Sequence, residues 1–474
     1  KIITEQQRQY AVKQQVIAQE QRAVAVEQRQ KADEATVEAV KAKDEADDQR
    51  KEAVSQKVIA DREREKAEES EKNTQRLRLL SIARSMAIQA NQIFTTVKDD
   101  LPGLLAVQAY IFNQENGGIP NNPDIYAALS TIVNDQVILR GHEDAVRGIA
   151  LSPNGKILVS CGDDGNIYRW NPANPSAAPV PYKLPKGVTE KFRSILFTRD
   201  GEFLIAGSFS GKIYILKTDP ADPLFKVLTG HTSIVNALAL HPSKNQFVSG
   251  GSDGRLILWN ISNDKFTSSL LDSSAARIHA VVFVRNGALV AYGGSDGRLN
   301  TINTGQEHAT SAVLFSSGDP LLSLASAGNG NALAAGFSNG SIRIWDLALP
   351  GSGPLELIGR HFSGVTSLDF SPDGNELASS GYDRTIKIGT RKSGEGKPIS
   401  IEKHDLWVYG VLFTPDGSRL ISCSADKSIR IFSTGCQVLD DKLSKEIKRN
   451  LTEEEWNKYV GADIPYQKTR PDLR

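Results

Sequence analysis

The chain has 474 residues and balances 56 Lys plus Arg against 56 Asp plus Glu, so no global field steers it toward nucleic acid or an anionic membrane. Three cysteines, Cys161, Cys423 and Cys436, are too few and too scattered for a disulfide framework or a zinc cluster. No run of 18 apolar residues and no apolar signal-peptide core occurs, so nothing reads as a membrane span or a secretory leader.

The chain begins at Lys1, not Met, and residues are expected upstream, where a membrane tether or a further domain has room. The three cysteines fit a reducing compartment, the cytoplasm first, and are also compatible with an oxidising one. From Thr4 to about Gln75 there is no Pro and no Gly, while Ala, Glu, Gln, Lys and Arg dominate. These are the strongest helix formers, and they predict a long helical stalk over 1–76, roughly 105 Å at 1.5 Å per residue. Weakly apolar positions such as Val12, Val16, Ala23, Val26, Ala39 and Ala53 recur at spacings of three, four and seven. A coiled coil that assembles the protein and a solvated spacer helix both fit. Ala-rich seams bury little, and no strict heptad survives the whole length. Acidic and basic residues alternate, which argues against a nucleic-acid arm.

A small helical collar is predicted over 77–135. Its first helix carries Leu79, Leu80, Ile82, Met86 and Ile93 on one broad apolar face. A second opens at Asp100, a candidate N-cap before Pro102, and stops at Gly117 and Gly118. A third starts near Pro123 and turns Ile125, Tyr126, Leu129 and Ile132 inward. So small a bundle is marginal alone and is expected to dock on the next domain of the chain.

After Asp135 the apolar period becomes two. Residues 160–170 read SCGDDGNIYRW, 249–259 SGGSDGRLILW, 335–345 AGFSNGSIRIW, 379–389 SSGYDRTIKIG and 422–432 SCSADKSIRIF, with weaker copies at 206–216 and 292–302. Their last positions are 43 to 46 residues apart. Four strands per unit at this period mean a propeller blade, because one blade cannot bury both its faces and neighbours must stack. The last copy lacks a fourth strand, and QVILRGH at 136–142 has the form of one. The strand at 136–140 should therefore close a ring of seven blades spanning 136–433, leaving no exposed sheet edge.

This repeat resembles the WD40 family over residues 136–433. The fold class it implies is mainly β: a seven-bladed WD40 propeller preceded by a long helical stalk and a small helical collar. In that family a Trp, a Ser or Thr, a His and a turn Asp form a hydrogen-bonded set inside a blade. The resemblance places such sets at His142, Ser160, Asp164 and Trp170 in blade one, and at His231, Ser249, Asp253 and Trp259 in blade three. Blade six has His361, Ser379 and Asp383, with Gly389 at the Trp place; blade seven has His404, Ser422 and Asp426, with Phe432 there. Blades two, four and five are more degenerate, and Ser210 and Asn339 stand at the aspartate place in two of them. A buried His must satisfy both ring nitrogens and a buried Asp must be paired, so recurrence at the blade period reads as architecture, not as a hydrolase triad.

No phosphate-binding loop, HExxH pair or nucleophile elbow occurs, and His241, His279 and His308 are too isolated for a metal cluster. No enzyme activity, metal or cofactor is expected. The family commonly binds partners on its narrower face, through residues three and five beyond the His and the residue before the turn Asp. Those positions are Arg147, Lys191, Arg193, Asn236, Arg277, His279, Leu322, Thr366, Trp407 and Tyr409, together with Asp163, Phe209, Ser252, Ser295, Ser338, Tyr382 and Ala425. Aromatic and Arg anchors favour a protein or peptide partner, an acidic one matching the mix; nucleic acid is disfavoured.

The tail over 434–474 reads as a helix at 439–449, a capping box at Thr452 and Glu455, a helix stop at Gly461 and an extended end, with Trp456 and Tyr466 as anchors on the propeller or collar. Stalk, collar, ring and tail together resemble the C-terminal region of bacterial signalling proteins of the STAND NTPase or caspase-like class. Two functions are thus in view. One is a scaffold whose ring binds a protein and whose stalk assembles or tethers it. The other is a sensor whose catalytic domain lies upstream of Lys1. In the family's tail a Cys often stands where this chain has Arg470.

Overall fold

A computed structural model describes residues 2–96, 99–184, 189–221, 224–262, 265–306, 309–327, 330–349, 353–356, 360–391 and 397–473. The chain divides into two units, Lys1–Arg78 and Leu79–Arg474. The first is a single helical segment in which every side chain of 3–78 is exposed. Helix α1 runs without a break over Ile2–Ile93, so stalk and first collar helix are one helix; no Gly or Pro lies between them to end it. Ion pairs one turn apart, Glu27–Lys31 and Arg64–Glu68, give the exposed part only a few tenths of a kcal/mol each. No helix among the described residues is long and apolar enough to cross a membrane.

The second unit holds seven four-stranded antiparallel sheets. Blades one to six span 146–181, 192–228, 235–273, 278–316, 321–356 and 365–401. Blade seven takes three strands from 408–433, and its fourth is Gln136–Arg140, paired antiparallel with Ser428–Ser433 so that Gln136 faces Phe432. The two innermost strands carry large apolar residues that wedge between neighbouring sheets, as with Phe192, Phe197 and Leu204 against Val159 and Ile167 of the preceding blade.

Helices α2 (Leu101–Glu115), α3 (Pro123–Val133) and α4 (Cys436–Glu446) share one core with the C-terminal turn of α1 and with blades six and seven. Met86, Leu104, Leu105, Phe112, Leu129 and Trp456 lie in it beside Ile388, Phe413 and Phe432. Asn122 caps α3, accepting from the N–H groups of Asp124 (3.0 Å) and Ile125 (3.4 Å). Asp100 precedes α2 but does not cap it: Asp99 accepts from Leu101 N–H at 2.9 Å, and the Asp100 carboxylate pairs with Arg449 of the tail at 2.7 Å. Helix α4 begins three residues before the predicted 439. The capping box at Thr452 and Glu455 forms and opens the short helix α5, Glu453–Trp456, which continues as a π-turn to Gly461. Trp456 is 1% exposed, meets Phe112 edge-on at 5.8 Å and donates to Ile464 O at 2.9 Å, while Tyr466 donates to Leu451 O at 2.6 Å.

Candidate functional site

Chemistry-bearing side chains in the blades form two groups, one inside the sheets and one at the mouth of the ring. In blade one Trp170 Nε1 donates to Ser160 Oγ (2.8 Å), the serine lies 2.7 Å from His142 Nε2, and His142 Nδ1 lies 2.9 Å from Asp164. Only one proton arrangement satisfies every atom: the serine donates to Nε2 and Nδ1–H donates to the carboxylate. Blade three repeats this with Trp259, Ser249, His231 and Asp253 at 2.8, 2.8 and 3.0 Å. Blades six and seven keep the three-member form: His361 with Ser379 (2.8 Å) and Asp383 (3.0 Å), and His404 with Ser422 and Asp426 (both 2.8 Å). In blade seven Phe432 turns into the helical core instead of meeting its serine.

Burial pushes the Asp164 carboxyl up, but the His142 hydrogen bond and the N–H groups of Asn166 and Glu143 outweigh it and hold the group at about 2. The same opposition lowers Asp253, Asp383 and Asp426. Burial lowers His231 against the pull of Asp253. Each imidazole has both nitrogens committed, and no substrate atom has access to them. These are fasteners of the turn to the strand.

Blades two, four and five solve the same problem with an acid from ahead of the inner strand, on the entering loop in blades two and five and near the end of blade three's last strand in blade four. Glu190 accepts from Ser210 (2.8 Å) and Tyr214 (3.0 Å), Asp272 accepts from Tyr292, and Asp319 accepts from Asn339 at 2.6 Å. Sequence reasoning missed Glu190, Asp272 and Asp319. The signal available was a carboxylate 20 residues before the degenerate turn positions Ser210 and Asn339; in blade four the turn aspartate, Asp296, is intact, and Asp272 lies 20 residues before Tyr292 instead.

The mouth is built by a backbone irregularity repeated seven times. Each inner strand carries a bulge at its second residue, between Val146 and Gly148 in blade one and between Val408 and Gly410 in blade seven, with equivalents in the other five. A bulge re-aims a side chain, and here the re-aimed residues are Arg147, Arg193, Asn236, His279, Leu322, Thr366 and Tyr409, one per blade. With Tyr382 they line a cavity of about 180 Å³. The remaining face positions are tied to this rim by a second repeat. In all seven blades the residue before the turn aspartate place donates its backbone N–H to the carbonyl at position three of the entering loop. Phe209 to Lys191, Ser252 to Ile234, Ser295 to Arg277 and Ala425 to Trp407 are examples, at 2.8–3.0 Å; Asp163, Ser338 and Tyr382 do likewise.

Polar mouth residues differ in how much of their bonding the ring itself consumes. Asn236 donates to Ile278 O (2.8 Å) and Ser252 Oγ (2.9 Å), His279 Nδ1 lies 3.0 Å from Leu321 O, and Thr366 donates to Val408 O. These three stitch adjacent blades. Burial lowers His279, and Arg193 and Arg277 lower it further. Arg147 is held by Asp163 through Nε at 2.8 Å and through a second guanidinium nitrogen and lies 4.2 Å over the Tyr409 ring. Burial opposes its charge, and Asp163 more than restores it. Tyr382 meets Trp407 edge-on at 5.3 Å and Tyr409 at 6.3 Å. Trp407 is 52% exposed, and Leu406 (51%) and Phe362 (94%), which sequence reasoning missed, stand on the same pair of entering loops. Lys191 and Arg277 are exposed, and Arg193 has no ion-pair or hydrogen-bond partner among the described residues. One side of the mouth is therefore aromatic around a neutralised Arg147; the other carries uncompensated positive charge.

Among the described residues no group of three His, Cys, Asp or Glu could hold a metal ion; His308 lies outside them. Cys161, Cys423 and Cys436 are buried free thiols, and burial raises all three.

Comparison with known proteins agrees with the blade geometry. The WD40 family, described as WD domain, G-beta repeat, matches residues 134–171, 223–260, 308–346, 354–388 and 396–433. The chain is 29% identical to mouse striatin over 159 residues, covering 30% of this chain and 20% of that protein. It is 30% identical to human striatin-3 with the same coverage, and 25% identical to the 66 kDa stress protein of Physarum polycephalum over 31% of this chain and 24% of the relative. It thus spans about a fifth of the striatins' length. The ring of seven blades has the WD40 β-propeller fold, and a part of the chain is similar in sequence to the striatins.

Proposed function

We propose that the protein is a non-catalytic interaction scaffold, its propeller mouth holding a protein or peptide partner and its stalk assembling or tethering it. The observation that carries this reading is the mouth itself, where seven bulges aim one side chain each at a common rim. Trp, Tyr and Arg are the residues that anchor interfaces, and Trp407, Tyr409, Tyr382 and Arg147 form one connected cluster there. A cavity of about 180 Å³ is below the roughly 300–1,000 Å³ of small-molecule sites and suits the tip of a single inserted side chain. Unpaired Arg193 with Arg277 and Lys191 favours an acidic segment beside it.

The test is recovery of a native partner by the full chain. Trp407→Ala with Tyr409→Ala removes one exposed and one half-buried anchor and should cut recovery at least tenfold, since hot-spot truncations each cost about 2 kcal/mol or more, with the ring still folding in one cooperative transition. Undiminished recovery would reject the mouth as the binding face. A second reading makes the ring the sensing end of a longer signalling protein with an NTPase or caspase-like domain upstream. The shared core of collar, tail and blades six and seven favours it, since partner binding on the ring then bears on the helices before it. A phosphate-binding loop or a His–Cys pair in the gene upstream of Lys1 decides for it.

A further inference from the structure

The stalk carries a seven-residue repeat that pooling Val with Ala conceals. Alanine occupies every seventh position from Ala11 to Ala67, nine in all, flanked by Thr4 and Thr74 at the same spacing. The column three residues further on, from Gln14 to Gln56, holds only Gln and Ala. Nineteen of the fifty residues 11–60 are charged, yet none falls at the fifteen positions of these two columns, so charge is kept off one seam of the helix. A straight helix rotates a strict seven-residue column by about 20° per heptad, or about 160° over eight intervals. The column faces one way throughout only if the helix supercoils around a partner. Nothing in the single chain is that partner, since all side chains of 3–78 are exposed.

The flanking charges say which partner. One side of the seam carries Arg22, Arg29, Lys43, Arg50, Lys57 and Arg64, then Glu71; the other carries Glu38, Glu45 and Glu52 between Lys31 and Lys66. Glu38, Glu45, Glu52, Lys43, Arg50 and Lys57 have no ion-pair partner among the described residues, unlike Lys31, Lys51 and Arg64, which pair along the helix. In a parallel two-stranded coil each residue on the acidic flank meets the basic flank of its mate five residues on. Glu38 then meets Lys43, Glu45 meets Arg50, Glu52 meets Lys57 and Lys66 meets Glu71, with no like pair. Antiparallel pairing sets the basic flank against itself. A slip of one heptad sets Lys31 against Lys43 in one direction and Lys66 against Arg64 in the other.

We propose that the stalk is one strand of a parallel, in-register, two-stranded coiled coil formed with a second copy of this chain, with the two uncharged columns as its seam. This deepens the assembly half of the function proposed above and rests on it. The helix pattern identifies its own copy because one sequence supplies both complementary flanks in register.

Light scattering on the full 474-residue chain over a dilution series should give the mass of two chains. The triple variant Glu38→Lys, Glu45→Lys, Glu52→Lys opposes three like pairs on each side and should halve the mass, with helix content and the ring's unfolding midpoint retained. Adding Lys43→Glu, Arg50→Glu and Lys57→Glu to the same chain restores opposite charges for parallel strands only and should restore the doubled mass. A single-chain mass for the unaltered protein defeats both the coil and the assembly reading. A doubled mass that the triple variant leaves intact keeps assembly and defeats this seam. A six-fold variant that stays single defeats the parallel orientation.

Discussion

The heptapeptide Gly-Gly-Ser-Asp-Gly-Arg-Leu occurs twice, at 250–256 and 293–299, and its two aspartates meet different surroundings. Asp253 is 5% exposed and accepts from His231 and from the N–H groups of Thr232 and Arg255. Asp296 is 32% exposed and accepts from Arg298 N–H at 3.1 Å. Removing Asp253 strands three donors, one of them a buried imidazole N–H, so Asp253→Ala should cost about 2–4 kcal/mol of unfolding free energy. Asp296→Ala should cost under about 1 kcal/mol. Denaturant midpoints of the two variants check this; equal costs would show that the four-residue sets hold nothing up. The heptapeptide alone cannot distinguish the two, since the difference sits 22 residues earlier, where one blade has His231 and the other Ser274. Reading the spacing across the whole unit was therefore enough for blades one, three, six and seven. It failed for Glu190, Asp272 and Asp319, which reach their blades from the segments just ahead of them, outside the repeated motif.

The blade turn depends on one left-handed residue. Gly254 has φ +75°, and a β-carbon there would stand 1.8 Å from Ser274 O. Blades six and seven place Arg384 (φ 69°) and Lys427 (φ 67°) at the equivalent position. Gly254→Ala should therefore cost about 3 kcal/mol or more, combining a clash with a backbone that L-residues avoid at about 1–2 kcal/mol. Lys427→Gly should gain about 0.5–1 kcal/mol by relieving that strain, the greater freedom of glycine in the unfolded chain offsetting part of it. Opposite shifts of the unfolding midpoint are the expected result, and shifts of the same sign would contradict the turn argument. Strand order, turn type and blade number were legible because each repeats every 43 residues or so. The bulges at the mouth were not, since a bulge is set by how two strands pair and leaves no residue signature in a strand of mixed composition.

Across the whole second unit, the decisive packing joins chain segments that no local pattern connects. Tyr126 donates to Ser433 O at 2.7 Å, Asp135 accepts from Ser433 N–H at 2.8 Å and pairs with Lys442, and Thr469 donates to Gln108 at 2.7 Å. Trp456 is buried in the same core as Phe413 and Phe432 of the closing blade. Trp456→Ala should cost about 3–5 kcal/mol and lower the midpoint of the ring itself in one cooperative transition. A separate early transition of the tail, with the ring unmoved, would show the two to be independent. The sequence displayed amphipathic helices at both ends and left open what each covers. That one core serves both is evident only once ring closure has brought 136 and 433 together.

That closure also fixes an order of events in the life of each molecule. Strand Gln136–Arg140 pairs with Ser428–Ser433, about 290 residues later, which at roughly 5–20 residues per second is about 15–60 s of synthesis. Throughout that interval the closing strand has no mate, and the apolar faces of α2 and α3 lack the tail that covers them. Edges and faces of this kind are what neighbouring nascent chains adhere to. The same fastening that closes the finished ring thus makes its production the hazardous stage, with six blades waiting on the seventh.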